Sequence, residues 1–108
     1  MLSLSTDNFD DAMILDSRNI LALFYATWCP FCSEFLATFE ESMQGRDDPA
    51  GALVDISDMN SPLWERFNVE IVPTLIGFKD GKILLRKDGV AGIGLRAREL
   101  EDAIRETR

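Results

Sequence analysis

The sequence contains no histidine and only two cysteines among its 108 residues. The absence of histidine excludes Ser-His and Cys-His catalysis, imidazole metal sites and histidine-based pH switches. Two cysteines are too few for the disulfide framework of a small secreted domain. Both lie in one Cys-x-x-Cys motif, Cys29 and Cys32. An isolated pair of this kind is typical of a catalytic or metal-binding protein of the cytoplasm, so we expect a cytoplasmic location.

Basic residues are also scarce, with 11 Lys and Arg against 19 Asp and Glu and a formal net charge of −8. Such a surface repels nucleic acid and anionic membranes, so we expect neither as a partner. No run approaches the roughly 20 apolar residues of a membrane span. Residues 1–7 lack the basic and apolar regions of a signal peptide. The length and the hydrophobic share of 46% predict a single domain over residues 1–108 that buries its own core.

The hydrophobic pattern predicts the element order β-α-β-α-β-α-β-β-α. The predicted strands cover residues 2–5, 20–26, 52–56, 74–78 and 83–86. The predicted helices begin after a Thr6 cap, at Pro30 and at Ser61-Pro62. The face of the last helix is formed by Ile93, Ala97, Leu100 and Ile104. This order predicts an α/β fold whose sheet is parallel where helices connect strands and antiparallel at the final hairpin.

The chemistry is predicted at Cys29, where the strand over residues 20–26 meets the helix that begins at Pro30. A helix N-terminus has unpaired N–H groups and a partial positive charge, and both favour an anion. With Cys29 at the N-cap, we expect its sulfur to accept N–H bonds from Phe31 and Cys32, which favours the thiolate. Pro30 at the first helical position leaves the N–H of Phe31 free as a donor. Cys32, one turn further on, should be more buried and harder to ionise. We therefore expect Cys29 to attack a substrate disulfide and Cys32 to resolve the mixed disulfide.

Other interpretations of the motif stay open at this point. Cys-x-x-Cys is also half of a zinc site, but the chain has neither a third cysteine nor a histidine. Only a metal shared between two chains would fit, so we predict no metal site and no cofactor within the chain. The two cysteines could also be plain buried residues. Trp28 is either a core residue or a partly exposed shield beside the thiol, and Phe31 either a core residue or one that faces substrate.

The sequence resembles the thioredoxin family over nearly its whole length. The matching segments are Phe24-Tyr25-Ala26-Thr27-Trp28-Cys29, Val54-Asp55-Ile56, Ile71-Val72-Pro73-Thr74-Leu75 and Phe78-Lys79-Asp80-Gly81. The resemblance implies the thioredoxin fold, a central mixed sheet of four to five strands flanked by about four helices. It also implies that Pro73 is cis and faces the cysteines, and that the backbone of Val72 pairs with a bound peptide like an added strand. The implied partners are protein disulfide substrates and an electron donor of the thioredoxin reductase type, and we expect a monomer.

The chain departs from the family at several positions. The family's buried aspartate is replaced by Leu23 and the basic residue opposite it by about Leu53, so Cys32 has no obvious internal base. The Cys-Pro-Phe-Cys motif itself looks more like a glutaredoxin, which leaves open a glutathione-dependent oxidoreductase. Trp28 and the lysine-rich hairpin after Pro73 favour the thioredoxin family instead. A non-catalytic thioredoxin-fold binding module is the third alternative. One of the glycines 89, 92 and 94 is expected to let a substrate backbone approach closely.

Overall fold

The computed structural model describes residues 1–107, apart from the side chains of residues 14 and 15. Its elements follow the predicted order, so the predicted α/β fold is confirmed. They are β1 (Leu2–Leu4), α1 (Phe9–Leu15), β2 (Ile20–Tyr25), α2 (Pro30–Met43), β3 (Ala50–Asp55), α3 (Leu63–Arg66), β4 (Thr74–Lys79), β5 (Lys82–Lys87) and α4 (Ala97–Glu106).

The strands form one sheet in the order β1-β3-β2-β4-β5. Strand β3 is parallel to β1 and β2, whereas β4 is antiparallel to β2 and β5. Residue Phe24, near the end of β2, lies opposite Thr74 at the start of β4. The segment that follows β2 and the segment that precedes β4 therefore lie at the same end of the strands. Cys29 and Pro73 are both at that end of the sheet.

A hydrophobic core lies on each face of the sheet, because β2 is buried on both sides from Ile20 to Phe24. On one face, the rings of Phe9, Phe24 and Phe67 pack with centroids 5.4 to 6.0 Å apart, under α1 and α3. On the other face, α2 and α4 cover the sheet. The residues that these two helices bury on this face recur at helical spacing: Phe35, Phe39, Met43, Leu100, Ala103 and Ile104.

Two predicted helix starts are wrong. Helix α1 begins at Phe9 rather than after a Thr6 cap, because the Thr6 hydroxyl is hydrogen-bonded to the Ser61 hydroxyl, 2.6 Å away. Helix α4 begins at Ala97, so Ile93 lies outside it and is 48% exposed. The apolar spacing of Ile93 matches the helix, but the segment before α4 is held in a turn by hydrogen bonds between Val90 and Gly94.

Candidate active site

Cys29 lies at the N-cap of α2, as the sequence predicts, with its backbone extended and Pro30 as the first helical residue. Its amide donates to the carbonyl of Ala26 at 3.2 Å, which closes the turn that follows β2. Its own carbonyl accepts the amides of Cys32 and Ser33 at 3.2 and 3.3 Å and starts the helix. The backbone on both sides of Cys29 is therefore fixed by hydrogen bonds.

The sulfur of Cys29 points across the site rather than along the helix. It is a free thiol, and its S–H donates to the carbonyl oxygen of Val72 over 3.5 Å. The predicted N–H bonds from Phe31 and Cys32 to this sulfur are absent, so that prediction is wrong for the dithiol. The reason is that a thiol is a weak acceptor and turns its S–H toward the Val72 carbonyl, whereas a thiolate attracts the helix N–H groups more strongly.

Cys32 lies deeper than Cys29, with 1% of its surface exposed. Burial raises the pKa of the Cys32 thiol from 9.0 to about 12, and the neighbouring Cys29 adds to the rise. A backbone hydrogen bond from Ala26 opposes this shift but is outweighed by the burial. Cys32 therefore keeps its proton at neutral pH, in line with its expected position one turn into α2.

The wall opposite the cysteines is the Val72-Pro73 peptide, which is cis as the resemblance implies. Both residues are buried, and the Thr74 hydroxyl donates to the Ile71 carbonyl at 2.6 Å across the turn. Gly89 lies directly behind this wall, because a Cβ atom there would overlap the carbonyl oxygen of Pro73. The absence of a side chain at Gly89 thus allows the loop to pack against the Pro73 carbonyl, which is a contact within the protein.

The two aromatic residues of the motif are on the surface, not in the core. Trp28 is 53% exposed and Phe31 is 38% exposed. The indole N–H of Trp28 donates to the carbonyl of Ser57 at 2.9 Å, which fixes the ring beside Cys29. Phe31 rests on Gly94, where an added Cβ would come within 3.0 Å of the Cβ of Phe31. Pro30, between them, is also exposed.

A polar network that the sequence does not predict lies behind Trp28. The Asp55 carboxylate accepts the amide and the hydroxyl of Ser57 at 2.8 and 2.5 Å. The Ser57 hydroxyl oxygen in turn accepts the amide of Thr27 at 2.8 Å. These bonds tie the turn after β2 to the turn after β3. An Asp followed two residues later by Ser at a strand end is the signal that could have found this network, since such aspartates bond their own backbone.

The two apolar residues singled out in the sequence differ in burial: Leu23 is buried, whereas Leu53 is half-buried. Leu23 is fully buried in the core under α2 and α4, and Leu53 lies opposite it on β3. Cys32 packs in the other cluster, together with Ala26 and Ile56. Neither leucine can accept a proton. Among residues 1–107 there is also no group of three or more Asp, Glu, Cys or His side chains that could hold a metal ion.

The sequence model of the thioredoxin family matches residues 1–106. The chain belongs to the thioredoxin family. The thioredoxin of Mycolicibacterium smegmatis is 32% identical to it over 105 residues, which cover 95% of this chain and 94% of that protein. A protein disulfide-isomerase of Triticum aestivum is 41% identical over 86 residues, which cover 75% of this chain but only 16% of that much longer protein.

Solved structures of other members show the same fold. Thioredoxin f2 of Chlamydomonas reinhardtii superposes with a TM-score of 0.85 at 18% identity, over 100% of this chain and 96% of that chain. The thioredoxin of Fasciola hepatica gives a TM-score of 0.83 at 24% identity, over 100% of both chains. The thioredoxin fold implied by the sequence is therefore confirmed. At the level of the family, the protein is a thiol-disulfide oxidoreductase. None of the helices within residues 1–107 has the length and apolar character required to cross a membrane.

Proposed function

We propose that the protein reduces protein disulfides, with Cys29 as the nucleophile and Cys32 as the resolving cysteine. The Cys29 thiolate attacks one sulfur of a substrate disulfide and forms a mixed disulfide, and the other substrate sulfur leaves as a thiolate. The Cys32 thiolate then attacks the Cys29 sulfur, and the second substrate sulfur leaves. Two electrons pass to the substrate, and the Cys29–Cys32 disulfide remains.

The observation that carries this assignment is the difference between the surroundings of the two sulfurs. Cys29 lies at the start of α2 and faces Val72 on the side where Trp28 and Phe31 are exposed. Cys32 is almost fully buried, and its raised pKa keeps it protonated until the first exchange has taken place. An asymmetric pair of this kind separates attack from resolution.

Substrate binding is proposed at the walls of the same site. The Val72 carbonyl, which accepts the Cys29 S–H in the free protein, can accept a backbone N–H when an extended substrate pairs with it. When a substrate N–H takes the place of the Cys29 S–H on the Val72 carbonyl, the Cys29 thiol loses this acceptor. The helix N–H groups are then the nearest partners for its sulfur. We assign Trp28, Pro30 and Phe31 to the apolar side of the substrate contact, and Val72 and Pro73 to its backbone side.

The proton of Cys32 is proposed to leave through the substrate. Because Leu23 and Leu53 are apolar, neither can act as the base. The substrate thiolate released in the first exchange is formed beside the mixed disulfide, and it takes up this proton, directly or through water, as the Cys32 sulfur attacks Cys29. Resolution therefore follows the first exchange in the same complex.

Replacing Cys32 with serine tests the roles of the two cysteines. We expect Cys32→Ser to accumulate a mixed disulfide through Cys29, because the first exchange proceeds and the second cannot. Non-reducing electrophoresis and mass spectrometry after mixing with insulin would detect the adduct. Cys29→Ser is the matched control and should form none. An adduct on Cys32 in the control, or no adduct in either variant, would reject the assignment.

The electron donor is proposed to be a reductase protein rather than glutathione. The residues after the motif are Ser33 and Glu34, which offer no basic group for the carboxylates of glutathione. Recycling of the oxidised protein by a thioredoxin reductase with NADPH should therefore be faster than recycling by glutathione. Faster recycling by glutathione would instead support the glutaredoxin-like alternative.

We also propose that residues 1–108 act as one monomeric domain in the cytoplasm. One sheet joins β1 near the N-terminus to β5, and α4 packs on that sheet. A reducing compartment suits a protein that must return to the dithiol after each turnover. The proposal includes no cofactor, since the two thiols carry both electrons.

A further inference from the structure

Trp64 is an aromatic residue beside Trp28 that has no role in the function proposed above. It belongs to α3, a short helix between β3 and β4, and its side chain is half-buried. Its ring lies parallel to that of Trp28, with an interplanar angle of 10° and a distance of 6.3 Å between the centroids. This is an offset stack of two indoles, one of which adjoins the nucleophilic cysteine.

Both indoles are hydrogen-bonded to the same turn. The Trp28 N–H donates to the Ser57 carbonyl at 2.9 Å, and the Trp64 N–H donates to the next carbonyl, that of Asp58, at 3.2 Å. The stack is thus held at its polar edges as well as by ring contact. Neither indole N–H has to be freed when a partner covers the rings.

The backbone of Trp64 is hydrogen-bonded to the segment that leads to the opposite wall of the site. Its carbonyl accepts the amide of Val69 at 2.8 Å, and the buried Val69 lies three residues before the buried Val72. Trp64 is therefore tied to Trp28 through its ring and, through its carbonyl, to the segment that precedes Val72.

We propose that Trp64 is a positioning residue for protein substrates: it holds the Trp28 ring in place and extends the apolar surface beside Cys29 onto α3. This inference rests on the proposed function. The surface suits a disulfide-containing protein segment with a large apolar or aromatic side chain next to its cysteine. A small disulfide that reaches only Cys29 makes no contact with it.

The test compares a protein disulfide with a small one. Reduced Trp64→Ala is mixed with insulin or with hydroxyethyl disulfide, the reaction is quenched with acid, and the Cys29–Cys32 disulfide is measured by mass spectrometry. We expect the half-saturating insulin concentration to rise roughly two- to tenfold, the range that loss of an aromatic stack produces, with little change in the maximal rate. The rate with hydroxyethyl disulfide should match that of the unaltered protein.

Two further variants separate positioning from a general structural effect. Trp64→Phe keeps an aromatic ring on Trp28 and should restore most of the insulin affinity. Leu84→Ala removes an exposed apolar side chain on β5, at the edge of the sheet, and should change neither reaction. Circular dichroism should lose the exciton signal of the two coupled indoles in both Trp64 variants, which verifies the stack itself.

The outcomes that overturn the inference are distinct from those that overturn the proposed function. Trp64→Ala with unchanged insulin kinetics, an equal slowing with both disulfides, or no recovery in Trp64→Phe would each reject the role of Trp64. Failure of the unaltered, reduced protein to react with any disulfide would instead reject the proposed function.

Discussion

At the scale of single residues, the site depends on how differently two nearby thiols are surrounded. Cys29 has a carbonyl acceptor and an exposed aromatic neighbour, Trp28. Cys32 is enclosed by apolar side chains, and its pKa rises to about 12 because water no longer solvates the thiolate. With no histidine in the sequence, these differences come from the backbone, from burial and from the end of a helix.

The raised pKa of Cys32 predicts a pH-dependent stability of the reduced protein. The unfolded chain releases the Cys32 proton from about pH 9, whereas the folded protein holds it up to about pH 12. The stabilising effect is therefore complete below pH 9 and is lost between pH 9 and 12, on the order of 1 kcal/mol per pH unit. Denaturant unfolding under reducing conditions would measure this loss.

The control for this prediction is Cys32→Ser, which lacks the thiol but keeps every other group that titrates in the same range. Burial also raises the pKa of Tyr25, and this contribution is common to both proteins. The free energy of unfolding should therefore fall more steeply with pH in the unaltered protein. Parallel curves above pH 9 would show that Cys32 ionises as easily in the folded state as in the unfolded state.

At the scale of elements, the loop between β5 and α4 supports both walls of the cleft. Gly89 packs against the Pro73 carbonyl, and Gly94 packs under Phe31. The loop is closed on itself by hydrogen bonds between Val90 and Gly94 at 2.7 and 3.0 Å. A displacement at either glycine is therefore transmitted to residues that are proposed to bind substrate.

Gly89→Ala should separate this loop from the Val72-Pro73 wall. The added methyl group overlaps backbone atoms, which cannot rotate away as a side chain can. We expect a loss of about 1–3 kcal/mol in the free energy of unfolding, typical of overpacking, together with slower reduction of insulin. Chemical denaturation and an insulin assay would measure the two effects.

Gly92→Ala is a matched change in the same loop. Gly92 has a φ of +78° and no atom within 4 Å of an added Cβ. The substitution should therefore cost only the backbone strain of about 1 kcal/mol and leave insulin reduction unchanged. If Gly92→Ala and Gly89→Ala slowed insulin reduction equally, the contact between Gly89 and Pro73 would not be the cause.

At the scale of the whole molecule, β2 connects the two hydrophobic cores. Phe24 is fully buried in this strand, and its ring contacts Phe9 and Phe67 at 6.0 and 5.4 Å between centroids. These contacts join the central strand to α1 and to the residue after α3. The position of α3, and with it that of Trp64, therefore depends on the core beneath it.

Phe24→Ala should be among the most destabilising single substitutions. Removing a buried ring leaves a cavity that the surrounding core fills only partly, and this costs about 3–5 kcal/mol. The total stability of a domain is about 5–15 kcal/mol. Leu84→Ala, at a side chain that is 45% exposed, should stay within about 0.5 kcal/mol. Urea denaturation curves would measure the free energy of unfolding of both variants. A similar loss of stability in both would contradict this view of the core.

The sequence predicts the order of elements and the position of Cys29 well, because these depend on local signals. The apolar run of β2 and the Pro30 start of α2 are visible within a few residues. The end of the chain is harder to predict: Ile93 fits the apolar spacing of α4, yet Gly92 and Gly94 adopt positive φ and turn the backbone before the helix begins.

Contacts between segments that are distant in sequence cannot be predicted from local patterns, for a physical reason. Spacing alone makes Trp64 one more apolar residue of a short helix, since the stack with Trp28 exists only after β2 and β3 have paired. The direction of the Cys29 sulfur likewise depends on Val72, which is distant in sequence and adjacent in space. Local sequence patterns predict neither the Trp28–Trp64 distance nor the distance between Cys29 and Val72.

The Trp28–Trp64 stack includes both tryptophans of the sequence. All indole emission of the protein therefore originates beside Cys29, and the rest of the molecule is dark at that wavelength. The protein thus has its own optical probe, and the arrival of a substrate, formation of a mixed disulfide and closure of the Cys29–Cys32 bond can be followed in real time without a label.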